Sequence, residues 1–230
     1  MTPDKLYQLT CEMLHQYDGA TGSNGADQVI NHPDQFVRGI FPFYANAAEI
    51  LIDCKTRLDK QTTPAAALSA IKRIFKSAMA SGNQALHGII QEDGYDCICD
   101  GHRIIRLSDR ITSLPVLSEK VVPPHIGNLM AAALEQNQEE IPLPEFADLK
   151  AYVARCKAAA GNSHHYSFQL LPYHVYVNPA YLLDMIQALP GCKAYINSDV
   201  TKAGKSMIYF KAENGDGVLL PVNPNTAAVL

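Results

Sequence analysis

Three cations stand close together in the run AALSAIKRIFKSAMA: Lys72, Arg73 and Lys76. The run has helical spacing, with Leu68, Ile71, Phe75 and Met79 on its inward side, so the cations fall on the other side. A row of cations on a helix can track phosphates without reading bases, and its binding weakens steeply as salt rises. An ordinary solvated helix face has the same pattern. Glu92, Asp93 and Asp96 lie nearby in sequence and dilute the field.

Two other chemistries have candidate residues. Cys97, Cys99 and His102 form C-x-C-x-x-H, and the pair His164-His165 is a further source of ligands. Zinc takes four N or S donors in a tetrahedron, typically beginning from a C-x2–4-C pair. A C-x-C pair in a strand puts both thiols on one face, and the simpler account of such a pair is two core cysteines. For nucleophilic catalysis, Cys156 or Cys192 could be drawn with His125 or His174, but no motif supports either pairing. The sequence has no G-x-S-x-G, H-E-x-x-H or P-loop pattern. Asp93 with Asp96, and Glu213 with Asp216, flank hairpin turns, so turn chemistry accounts for both carboxylate pairs.

The elements that must position these residues follow from periodicity and punctuation. Helices are expected from Thr2 to Gly19 and from Pro42 to Lys60, separated by a Gly/Ser/Asn/Asp-rich stretch between Tyr17 and Asn31. Thr62-Thr63-Pro64 marks a break. Beyond it a helix over Ala65–Ala80 precedes strands at Leu86–Gln91, Tyr95–Cys99 and Arg103–Leu107. The turns between them are Glu92-Asp93-Gly94 and Asp100-Gly101-His102. A strand is expected near Val116–Val122, a loop or short helix at Ile126–Gln136, and a helix over Glu145–Ala160. Extended segments follow at His165–Leu171 and His174–Val177. Asn178-Pro179 then caps a helix that runs to Leu189. Strands follow at Lys193–Asn197, Met207–Ala212 and Gly217–Val222. The order helix, strand, strand, turn, strand therefore occurs twice, about 110 residues apart, a pattern-level repeat.

Composition bounds the rest. The chain has 230 residues, 47% apolar and 18% charged, with a formal net charge of −4. That is an ordinary globular balance, and the acidic total excludes a protein that is basic in bulk, though not a local basic face. Six cysteines are too few for a disulfide scaffold. The first residues lack the basic-then-apolar pattern of a signal peptide, and no apolar run approaches the roughly 18 residues of a membrane span. The expectation is a cytoplasmic protein with free thiols, no membrane contact and no bound cofactor.

The run VNPAYLLDMIQALPGCKAYINS, followed by SMIYFKAENGDGVLLPV, resembles the last half-domain of the bacterial DNA polymerase III beta subunit, the sliding clamp. The matching positions are Tyr181, Leu182, Leu183, Asp184, Ile186 and Leu189 in a helix, and Val218 to Val222 in a final strand. The region from Ala65 to Val222 follows the same order of elements. The resemblance implies an α+β fold: a helical N-terminal module over residues 1–63 and one DNA-clamp-like domain over 64–230. That domain would have two helix-and-antiparallel-strand halves. It implies a non-enzymatic accessory protein of DNA metabolism that binds double-stranded DNA or replication proteins, with Lys72, Arg73 and Lys76 toward the phosphates. Leu220, Pro221 and Val222 would correspond to a partner-peptide pocket.

Several departures stand out. The chain has room for one such domain where bacterial clamps have three, so a closed homo-oligomeric ring would need about six copies. The second helix has no Lys or Arg, and Leu220-Pro221-Val222-Asn223 replaces the clamp's closing Met-Pro-x-Arg. The likeness is to a small clamp-like protein of the kind carried by phages and mobile elements. Two other functional classes stay open: a protein-interaction module with no DNA contact, and an enzyme dependent on Cys, His or a metal.

Overall fold

The structure, a computed structural model, describes residues 50–160, 166–170, 175–197, 199, 207–222 and 228–229. The chain divides into two compact units, Met1–Asp59 and Lys60–Leu230. The helix expected over Thr2–Gly19 and the loop after it lie outside the described residues. Of the helix expected over Pro42–Lys60, the described part is helical from residue 50, and the helix runs on to residue 62.

The second unit is α+β. Its elements are α1 (Ala65–Met79), a 3-10 turn (Gln84–Leu86), β1 (Ile90–Glu92), β2 (Tyr95–Cys99), β3 (Arg103–Leu107), α2 (Ile126–Gln136) and β4 (Glu139–Ile141). After these come α3 (Phe146–Ala160), β5 (Tyr166–Leu170), β6 (Val175–Val177), α4 (Pro179–Ala188), β7 (Lys193–Ile196), β8 (Ile208–Ala212), β9 (Gly215–Leu219) and β10 (Ala228–Val229). Seven strands form one antiparallel sheet in the order β1-β2-β3-β9-β8-β7-β4, and β10-β5-β6 form a second, smaller one. Helix, strand, strand, strand occurs twice, as α1-β1-β2-β3 and as α4-β7-β8-β9. The two runs meet where β3 pairs antiparallel with β9, Ile105 opposite Gly217. The strand order therefore reads outward identically from that seam until β4 adds one more strand beyond β7.

Local chemistry explains the seam and its hairpins. At the β1–β2 turn Asp93 and Gly94 both have positive φ, 50° and 83°, as a tight two-residue hairpin requires. At the β2–β3 turn the Asp100 carboxylate accepts the backbone N–H groups of His102 and Arg103 at 2.9 and 2.8 Å, and Gly101 takes φ 87°. Asn178 caps α4 by accepting the N–H groups of Ala180 and Tyr181, with Pro179 at the first helical position.

Strand alternation gives the sheet two buried faces. Ile98, Ile105, Leu107, Ile208, Phe210 and Leu219 face a layer made by α1, α3 and α4, with Ile71, Ile74, Leu149, Leu182 and Met185 above them. Cys97, Cys99, Ile104, Tyr209 and Val218 face α2 through Ile126, Met130 and Ala133. Each fully buried large side chain of this kind contributes about 1.5–3 kcal/mol. The inward stripe of α1 is Ala67, Leu68, Ala70, Ile71, Ile74, Phe75 and Ala78. Met79, expected inward, is 42% exposed because the stripe has rotated past it by the last turn.

Other expectations need correction. No strand forms over Val116–Val122; Val116 makes a single parallel bridge to Ile89, and Val122 is 84% exposed. Pro115, Pro123 and Pro124 bracket that run, and proline removes a ladder donor. The strand expected over Leu86–Gln91 begins only at Ile90, after a 3-10 turn. Ile126–Gln136 is a helix.

Candidate nucleic-acid interface

The cation cluster lies on the outer side of α1, as its spacing requires. Arg73 and Lys76 are exposed and Lys72 is half-buried. Arg73 does not point into open solvent. Its Nε donates to Asp184 Oδ1 at 2.7 Å, and its terminal nitrogen donates to Gln187 Oε1 at 2.8 Å. Both acceptors are on α4. The lack of cations on that helix thus has a structural counterpart, because its one carboxylate holds a cation of the neighbouring helix.

The outer layer nevertheless carries more positive charge than α1 alone. Helix α3 adds Lys150, Arg155 and Lys157, so the three helices hold six Lys and Arg against two Asp, Asp148 and Asp184. In a chain of net charge −4 this is strong segregation of sign. A layer of that kind raises the local concentration of anions.

Behind the layer runs a charge network that the sequence analysis did not single out. Arg103 is 2% exposed and opens β3. Its Nε and one terminal nitrogen donate to Asp100 Oδ2 at 2.9 and 2.7 Å, and the other terminal nitrogen donates to Asp184 Oδ2 at 2.8 Å. The guanidinium lies 4.1 Å from the centre of the Tyr181 ring, on which His102 also stacks. Asp184 therefore accepts from Arg103 in the interior and from Arg73 at the surface. A second network sits on the other sheet face at the seam. Arg106 makes a two-bond pair with Asp216, its cross-strand neighbour, and the Tyr209 hydroxyl donates to the same carboxylate at 3.0 Å. Burial and the Asp216 charge hold the Tyr209 hydroxyl well above the ordinary phenol range.

The cysteine candidates do not converge. Cys97 and Cys99 face α2, whereas His102 stacks on Tyr181 of α4 across the sheet. His164 and His165 lie outside the described residues. Among the described residues no three His, Cys, Asp or Glu side chains come together as a metal site. The thiols are also poor nucleophiles. Burial pushes Cys97 up to about 12 and Cys192 to about 11, and raises Cys99 and Cys156 as well. A thiol above its ordinary value is protonated at neutral pH, and the thiolate is the reactive species. His174, one of the paired candidates, lies outside the described residues.

Two outcomes are expected. Cys97, Cys99 and Cys156 should stay unalkylated by iodoacetamide at about pH 8 in the folded protein and react once it is unfolded, read by intact-mass spectrometry. Reaction of Cys97 at a free-thiol rate in the native state would revive thiol chemistry. The second concerns alkaline stability. An unfolded thiol releases its proton from about pH 9, while folded Cys97 keeps it to about 12. The folded state then binds more protons, so unfolding free energy falls between those limits by up to about 1.4 kcal/mol per pH unit and is unaffected below them. Urea titrations of the wild type and Cys97→Ala across that range should show a flatter profile for the variant.

Leu220, Pro221 and Val222 form a connection between sheets. The Leu220 N–H donates to the His102 carbonyl at 2.9 Å and the Val222 N–H donates to the Tyr176 carbonyl at 2.8 Å. The Leu220 side chain is 40% exposed, and Pro221 and Val222 are half-buried. These residues therefore tie β9 to β6 through their backbone. A groove of about 530 Å³ lies elsewhere, between α3 and α4, with Arg73 at its edge. Among the described residues, no helix is long and apolar enough to cross a membrane. In comparisons with known proteins, no family model, no curated protein and no solved structure matches the chain.

Proposed function

We propose that the protein is a non-enzymatic, clamp-like accessory protein of DNA metabolism that lays the outer side of α1 against a phosphate backbone. The observation that carries this reading is the segregation of charge: six cations on one helix layer of an acidic chain. The two helix-and-three-strand runs joined at β3–β9 support the clamp-like part of the reading, since they set α1 and α4 side by side on one sheet face. Lys72 and Lys76 are the phosphate contacts in this account. Arg73 serves mainly to fasten α1 to α4 through Asp184 and Gln187. Raised thiol values and the separation of Cys97 and Cys99 from His102 weigh against the Cys- and His-based alternative.

The test is anisotropy of a labelled duplex at several salt concentrations. Affinity should fall between about 50 and about 200 mM salt, and Lys72→Glu with Lys76→Glu should lower the slope of log K against log salt by about 2. No retention of duplex at the lowest salt would end the DNA reading.

A further inference from the structure

We propose that the groove between α3 and α4 docks a short acidic amphipathic helix from a partner protein. The groove goes beyond the DNA reading: Lys150 and Lys157 belong to the same positive layer, but the phosphate contacts of that reading, Lys72 and Lys76, lie outside the groove. One wall presents Lys150, Val153, Ala154 and Lys157, at spacings of three, one and three residues along α3. The other presents Ala180, Leu183, Asp184 and Gln187 along α4, with the same spacings. Each wall is therefore one continuous helical stripe, and small Ala154 and Ala180 leave the space between them unfilled. Phe146, 39% exposed, closes the α3 end of the wall with an apolar ring.

The shape and charge select the occupant. A cavity of about 530 Å³ holds a few apolar side chains but cannot admit a duplex, which would meet only its rim. An apolar floor gives phosphate nothing to bind, whereas an amphipathic helix places apolar anchors in such a groove at helical spacing. Lys150 and Lys157 are seven residues apart, two turns or about 10 Å along α3. A ligand helix with carboxylates at i and i+7 and Leu at i+3 and i+4 matches that length, acids to the lysines and Leu to Val153, Ala154 and Leu183. Asp184 does not repel it, since Arg103 and Arg73 both bind that carboxylate. This is helix-in-groove recognition with charge complementarity at both ends.

The experiment uses the full chain and a fluorescein-labelled Ala-rich peptide of about 16 residues, long enough to be helical, with Glu and Leu at those positions. Binding in the micromolar range is expected, at least about tenfold weaker for Lys150→Glu with Lys157→Glu. Ala154 is exposed, so Ala154→Phe should fill the groove without disturbing the fold, checked by circular dichroism, and should weaken the peptide similarly. A control peptide with Lys in place of Glu should not bind. Lys72→Glu with Lys76→Glu should leave peptide affinity unchanged while reducing DNA retention, so either reading can fail alone. The proposal is overturned by no peptide binding at about 1 mM. It is equally overturned by binding that survives Ala154→Phe, or by a duplex that binds through Lys150 and Lys157 where the peptide does not.

Discussion

Arg103→Ala is expected to destabilise the Lys60–Leu230 unit by about 3–5 kcal/mol, the usual result of removing one partner from a buried ion pair. The Asp100 side chain is fully buried and loses both guanidinium bonds, keeping only two backbone N–H donors. Asp184 is 14% exposed and keeps only Arg73. The stack on Tyr181 disappears too, with a further loss of packing. Arg103→Lys should recover little of this, because the three donors of an ammonium leave one nitrogen and cannot span Asp100 and Asp184 as the guanidinium fork does, and an ammonium has no planar face for the ring. Urea unfolding should show a lower midpoint at constant slope. A combined Arg103→Met and Asp100→Asn chain should be less destabilised than Arg103→Ala, since no unpaired charge then stays buried at Asp100. A loss below about 1 kcal/mol for Arg103→Ala would mean that solvent reaches Asp100 and the network is not closed.

Gly217→Val should be the second severe change, costing about 2–3 kcal/mol or more through overpacking. Gly217 sits at the centre of the seam, between Ile105 and Phe210, where Met185 and Leu189 descend from α4 and the turn after it. A Cβ there would stand 2.6 Å from the Ile104 carbonyl oxygen and 2.6 Å from Met185 Cε. The methionine end can move, but the carbonyl belongs to the neighbouring strand of the ladder and cannot. Gly217→Ala should already be destabilising, and valine more so. Gly82 is the matched control: nothing lies within 4 Å of its added Cβ, so Gly82→Ala should stay within about 0.5 kcal/mol. If both glycines tolerate alanine equally, the close approach of α4 to the seam is not a constraint on the fold.

What could be read from the sequence follows the range of the forces involved. β2 and β3 were expected at Tyr95–Cys99 and Arg103–Leu107 and form there, because short Asp-Gly turns fix both ends locally. α4 was equally legible through Asn178 and Pro179. β9 begins at Gly215, two residues before the expected Gly217. Its Gly-Asp-Gly run reads as turn, yet the glycines serve close contact with β3 and α4. β4 was missed altogether: Glu139, Glu140 and Ile141 have little strand preference and are extended by pairing with β7, helped by the Lys193–Glu140 ion pair. The cations of α1 were visible, but the acceptors that engage Arg73 lie on another helix far along the chain. One signal for the buried network was present. Arg103 alternates with Ile105 and Leu107, both of which face the core beneath α1 and α4, and an arginine on an apolar strand face asks for a carboxylate.

The β3–β9 seam also sets the timing of assembly during synthesis. β3 needs a partner that emerges about 110 residues later, roughly 6–20 s at bacterial-to-eukaryotic elongation rates. In that interval the nascent first half carries an open ladder edge with Ile104 and Ile105 on it. Such an edge is exposed to neighbouring nascent chains, and its closure is a slow, non-local step. Residues 60–110 expressed alone should therefore aggregate, and supplying the segment from residue 175 onward in trans should rescue them by providing β9.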